Sequence, residues 1–137
     1  MLIPTYYSVM GDELTYRIGL LISRYALSVK EIGHALQLEQ PRVSHKLAKL
    51  RKYGCVGFER EGQRVIYRFE EPCRTVLLKG DFLWRRLNPE YCHKWNSDID
   101  KLYELLGEDL DERLVHPTYK QIETWDAPPS VNDRANP

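Results

Sequence analysis

The side chains best equipped for chemistry in this sequence fall in two neighbouring clusters. Gln40, Arg42, Ser44, His45, Lys46 and Lys49 crowd into QPRVSHKLAKLRKYG, and Arg60 and Arg64 follow in EREGQR. An arginine fork matches the acceptor edge of guanine, and a glutamine amide matches adenine, both in the major groove of B-DNA. On this reading Arg42 and His45 reach base edges and Gln40 pairs with adenine. Ser44, Lys46 and Lys49 suit phosphate oxygens, which fix register without reading sequence. Arg60 and Arg64 would reach over the backbone or into the minor groove. The plainer alternative is a helix with an ordinary solvated basic face.

Other chemistries find less support. There is no glycine-rich phosphate loop and no nucleophile elbow. Asp98 and Asp100 are two apart and do not share a helix face. An enzyme is not expected. The cysteines, Cys55, Cys73 and Cys92, are odd in number and widely spaced, unlike a disulfide framework or a close zinc pair. They read as free thiols, with Cys55 in the core. The four histidines repeat in no zinc spacing. No metal and no cofactor are therefore expected. A thiolate site for a soft metal, or a redox switch, would require Cys73 and Cys92 to meet across a dimer.

The chain has 137 residues and a formal net charge of zero, but the charge is unevenly placed. Residues 42–68 hold eight Lys or Arg against two Glu, and residues 90–137 hold eleven acids against five bases. A balanced total thus conceals a basic region, and local potential is what steers association. No apolar run is long enough to span a bilayer. The opening MLIPTYYSVMGDEL lacks the pattern of a signal peptide, so the expected compartment is the cytoplasm.

The elements that must position the basic residues follow from periodicity. Leu14, Ile18, Leu21 and Ile22 predict a helix over 12–23, and a shorter one is expected over 5–10. Ser28 with Glu31 forms a capping box for a helix over 29–36. A second helix begins near Gln40, with Pro41 in its first turn and Val43, Leu47 and Leu50 as its core stripe. So short a connection makes the pair a helix-turn-helix. Two strands follow, with Val56 and Phe58 alternating on one and Val65, Tyr67 and Phe69 on the other, around a turn at Gly62. A helical pattern then runs to Leu87, weakened at Gly80 and broken by Asn88 and Pro89. Ser97 and Asp100 predict a further capping box ahead of Ile99, Leu102, Leu105 and Leu106, and Leu110 and Leu114 suggest one more turn. The fold class is mainly α with a small β-hairpin wing. One core is not expected to bury every late apolar face, so the remainder points to a homodimer.

The stretch from Gly11 to Glu70 resembles the winged-helix domain of the ArsR/SmtB family of transcriptional repressors. The resemblance rests on GDELTYRIGLLIS, LSVKEIGHALQLEQPRVSHKLAKLRKYGCV and EREGQRVIYRF, in the family's order and spacing. It implies a homodimeric, double-stranded DNA-binding repressor with a palindromic operator and an inducer of unknown identity. It also implies that Gln40–Tyr53 is the recognition helix and Glu59–Arg64 the wing. Dimer contacts would come from the first helix and the helix after the wing: Tyr6, Tyr7, Val9, Cys73, Val76, Leu77, Leu83, Trp84 and Leu87. The family's cysteine motif ELCVCDL is replaced here by ALSVKEI, with Ser28 and Lys30 where cysteines would stand. Glu39 stands where the family often has a capping serine. The expected organisation is a winged helix with dimerisation helices over 1–90, a helical extension over 91–116 and a polar tail over 117–137. The competing reading is a winged helix used for protein–protein contact.

Overall fold

A computed structural model describes residues 3–115. The tail over 117–137, with Trp125, and the side chains of 91–95, with Cys92 and Trp95, lie outside the described residues. The chain order is α1 (Ile3–Met10), α2 (Glu13–Arg24), β1 (Leu27–Ser28), α3 (Val29–Leu36), α4 (Gln40–Lys52), β2 (Val56–Glu61), β3 (Arg64–Phe69), α5 (Cys73–Leu87), a 3-10 turn (Pro89–Tyr91), α6 (Cys92–Leu106) and α7 (Asp109–Glu112). The strands form one antiparallel sheet in the order β1-β3-β2.

Helix α2 is the axis of the core. Asp12 caps its N-terminus by accepting from the Thr15 amide at 3.0 Å. Ile18, Leu20, Leu21 and Ile22 are all buried, as expected for a helix enclosed on every side. Gly19 allows its neighbours in, since a Cβ there would meet Met10 Cε at 2.9 Å and Leu77 Cδ2 at 3.1 Å.

The structure corrects four expectations from the sequence. On β3 the fully buried positions are Ile66 and Phe69, not Val65 and Tyr67. This is the middle strand, and the segment containing Leu114 and Val115 shares a surface recess with Ile66. Phe58 is exposed, with the Arg51 guanidinium 4.2 Å over its ring. Helix α5 runs unbroken through Gly80. The Ser97–Asp100 capping box does not form, because α6 has already started at Cys92 after the 3-10 turn.

The late helices are not left over. Ile99, Leu102 and Leu110 are buried in the same cluster as α2, α3 and α4. Long-range polar contacts hold them there. The Arg17 guanidinium grips the Asp98 carboxylate, with Nε donating at 3.0 Å. The end of the segment pairs with the backbone ahead of β1, where Ala26 N–H donates to Arg113 O and Val115 N–H to Arg24 O, both at 2.9 Å. Buried Arg74 donates to Ser23 O at 2.8 Å and to Val115 O at 2.7 Å. Asp81 joins α5 to α2, accepting from the Tyr16 hydroxyl at 3.2 Å and from Arg24 at 3.5 Å, with Arg85 Nε 2.9 Å away as an ion pair.

Asp98 is 1% exposed, so removing the Arg17 guanidinium takes the opposite charge from a buried carboxylate. Arg17→Ala should destabilise the fold by about 3 kcal/mol, read by urea denaturation, because breaking a buried pair from one side is costly. A loss under about 0.5 kcal/mol, the level of an exposed pair, would show that the pair does not anchor α6.

Candidate nucleic-acid interface

Helix α4 is built to show one face. Val43, Leu47 and Leu50 are buried against the core, at 0–2% exposure. Gln40, Arg42, Ser44, His45 and Lys49 are exposed on the remaining surface. Pro41 occupies the first turn, where its missing N–H has no intrahelical partner to lose. Glu39 stands at the N-cap and makes no side-chain capping bond, as its length and charge predict.

The connection from α3 to α4 is closed by two local devices. Gln37 takes the left-handed conformation at φ 57°, and the Leu38 amide donates back to Gly33 O at 2.9 Å. A Cβ on Gly33 would lie 2.8 Å from Leu38 O, so only glycine fits this tight return. The capping box at the other end of α3 forms in full, with Ser28 N–H donating to Glu31 at 2.8 Å and Glu31 N–H to Ser28 Oγ at 3.2 Å.

The wing extends alongside. β2 and β3 pair from Val56↔Phe69 out to Glu61↔Arg64, and Gly62 turns the tip at φ 62°. Arg64 lies 3.8 Å from Glu31 and 4.0 Å from Glu61, and Arg68 lies 3.3 Å from Glu59. Arg60 is exposed, and no ion pair is formed by it among the described residues.

The eight basic and polar candidates therefore divide. Gln40, Arg42, Ser44, His45, Lys49 and Arg60 face solvent without an ion pair, and Arg64 is exposed beside two acids. Lys46 does something else: its ammonium sits 2.8 Å from the Asp12 carboxylate. That contact ties α4 to the cap of α2. It was not visible in the sequence, where the two residues lie far apart.

The dimerisation candidates divide as well. Tyr6, Val9, Cys73 and Leu77 are buried within this one chain. Tyr7, Val76, Leu83, Trp84 and Leu87 are exposed, at 46–68%. A cleft of about 300 Å³ lies between α1 and α5, lined by Tyr7, Met10, Val76, Gly80 and Trp84 among others.

Cys55 and Cys73 are buried side by side, and burial followed by the Cys73 contact pushes the Cys55 thiol up to about 12. A protonated, enclosed thiol packs as a small apolar group and ligates metal poorly. Among the described residues no group of three or more His, Cys, Asp or Glu could hold a metal ion. None of the described helices is long and apolar enough to cross a membrane.

Two helices joined by a tight turn, the second with an exposed basic face and a β-hairpin beside it, have the form of a winged helix-turn-helix. No protein-family model matches the chain. Over 81 residues it is 42% identical to the arsenic resistance transcriptional regulator ArsR1 of Pseudomonas putida KT2440, covering 56% of this chain and 63% of that protein. The chain thus matches a little under two thirds of that relative's length. Among solved structures, reduced HlyU from Vibrio cholerae N16961 is 30% identical, over 59% of this chain and 82% of that one, with a TM-score of 0.47. Over the matched residues the chain is similar to a regulator of the ArsR type.

Hydrogen bonds from Lys46 and Thr15 hold the Asp12 carboxyl far below the usual carboxylate range. A depressed folded-state pKa stabilises above the unfolded value near 4 and ceases to do so as pH falls through the folded value. Asp12→Asn keeps the cap and removes the charge. It should be less stable than the parent at pH 7 by roughly 0.5 kcal/mol, since the pair is partly exposed. Acid titration of stability should narrow the gap progressively as pH falls below ~4 towards the folded value; a gap that stays constant to the lowest pH would assign the effect to the cap alone.

Proposed function

We propose that this protein is a sequence-specific, double-stranded DNA-binding transcriptional regulator that acts as a homodimeric repressor. The observation that carries the reading is the division of α4: an apolar stripe seated in the core and a basic, hydrogen-bonding face turned outward beside a basic hairpin. In this reading α4 lies in the major groove. Arg42 and His45 address base edges, and Gln40, near the helix start, can pair with adenine. Ser44 and Lys49 take phosphate, Arg60 follows the backbone from the wing, and Arg64 joins it when drawn from Glu31. Lys46 serves chiefly to fix α4 against α2.

The exposed apolar set on α1 and α5, which includes Trp84, is the surface by which two copies would pair. Exposed tryptophan, tyrosine and leucine in one patch are costly to leave in water. Pairing would hold two recognition helices at a fixed separation, as a palindromic operator requires. Release by an inducer follows the family's habit. A thiol-based switch is less favoured, because Cys73 is enclosed beside Cys55.

Fluorescence anisotropy on a duplex from upstream of the protein's own gene, titrated in salt, tests this. Affinity should fall steeply with salt as phosphate contacts release counterions. Lys49→Ala should lower the salt slope by about one, and Arg42→Ala should cost about 1–3 kcal/mol and relax sequence preference. Trp84→Glu should yield monomers by sedimentation and weaken operator binding. Equal affinity for upstream and unrelated duplexes, unchanged by Arg42→Ala, would overturn sequence reading.

A further inference from the structure

A cleft of about 540 Å³ opens between the start of α3, the tip half of the wing and the end of α6. Its wall is mainly apolar, formed by Val29, Val65, Tyr67, Leu105 and Leu106. Its rim carries the cations of Lys30 and Arg64, both exposed. Arg64 is only loosely matched, at 3.8 Å from one acid and 4.0 Å from the other. The acid on the inner wall, Glu31, is already engaged by the Ser28 amide at 2.8 Å and by Arg113 at 3.0 Å. The size suits a small organic molecule, and an apolar wall with a few placed polar groups is the usual form of such a site.

We propose that this cleft binds an amphipathic organic anion, with its apolar body against Leu105, Leu106 and Tyr67 and its acidic group at Lys30 and Arg64. The charge pattern decides the class: a neutral molecule leaves both cations unused, and a cation meets them directly. The regulatory consequence rests on the DNA-reading function proposed above. Gln40 opens the recognition helix and also lines the cleft, and Arg64 belongs to the wing. A bound anion would claim Arg64 and crowd Gln40, so ligand and operator would oppose each other. Linkage requires the antagonism to be equal in both directions.

The test uses the full chain and the fluorescent probe anilinonaphthalene sulfonate, with neutral N-phenylnaphthylamine as its uncharged counterpart. Leu105→Trp, at an exposed position, should fill the cleft and weaken sulfonate binding at least about tenfold. Lys30→Glu should weaken sulfonate binding about threefold or more while leaving the neutral probe unchanged, as for an exposed charge contact. Unchanged far-ultraviolet circular dichroism would show that both variants fold. Sulfonate binding that survives Leu105→Trp but is lost in Trp84→Ala would place the probe on the α1–α5 face and overturn the proposal. Equal effects of Lys30→Glu on both probes would overturn the anion preference. With operator duplex present, the probe should bind more weakly by the factor by which it weakens the operator. Cleft binding without that coupling overturns the regulatory role. These probe readouts need no DNA, so failure of DNA binding and failure of the cleft are separable.

Discussion

Glu31 is the carboxylate on which the arrangement of this protein turns. It is 4% exposed, yet it accepts from the Ser28 amide that begins α3, pairs with Arg113 at the end of the late segment, and faces Arg64 beside the tip of the wing. Three parts of the chain, residues 28–31, 64 and 113, are thereby held to one buried group. An unmatched carboxylate in such a place would be costly, and an unmatched guanidinium nearly as much. The cap, the wing and the late helices are therefore set relative to one another by mutual satisfaction. Arg113 adds a second bond, to Ala26 O at 3.2 Å, which fixes the approach of the late segment to the sheet.

The same logic is repeated around α2. Arg17 meets Asp98 from α6, Arg24 meets Asp81 from α5, and Arg74 from α5 reaches back to Ser23 O and across to Val115 O. Apolar burial supplies most of the driving force, but it is non-directional. These charged contacts are directional, and they select one way of laying α5 and α6 over α2. A helix-turn-helix needs that rigidity. The exposed face of α4 is useful only if α2 and α3 hold the helix at a fixed angle, and Lys46 on Asp12 extends the bracing into α4 itself.

What could be read from the sequence was what is local. The Ser28–Glu31 box, Pro41 in the first turn, the Val43–Leu47–Leu50 stripe and the glycine at the hairpin tip each act within a few residues. What could not be read was long-range. Arg24, Arg74, Asp81 and Asp98 look like ordinary surface charges until partners dozens of positions away are brought beside them. Alternation along β3 pointed to Val65 and Tyr67, whereas the middle strand of the sheet buries Ile66 beside Phe69. Ser97 with Asp100 imitated a helix start, but the helix had begun earlier at Cys92 after Pro89. In the candidate site, the outward residues of α4 were legible from periodicity, whereas the diversion of Lys46 to Asp12 was not.

The charge balance of the chain then acquires a physical sense. The exposed acids Glu104, Glu108, Asp109 and Glu112 lie on helices that pack over the winged helix, while the bases lie on α4 and the wing. For a protein that reads DNA, total positive charge raises affinity for every sequence alike, because counterion release is indifferent to bases. Specificity depends on the ratio of operator to non-specific binding, not on affinity alone. Acids on the late helices offset the bases in the total, while the outward face of α4 keeps its cations. A net charge of zero thus coexists with a basic face, and it is this local potential that would steer an anionic partner.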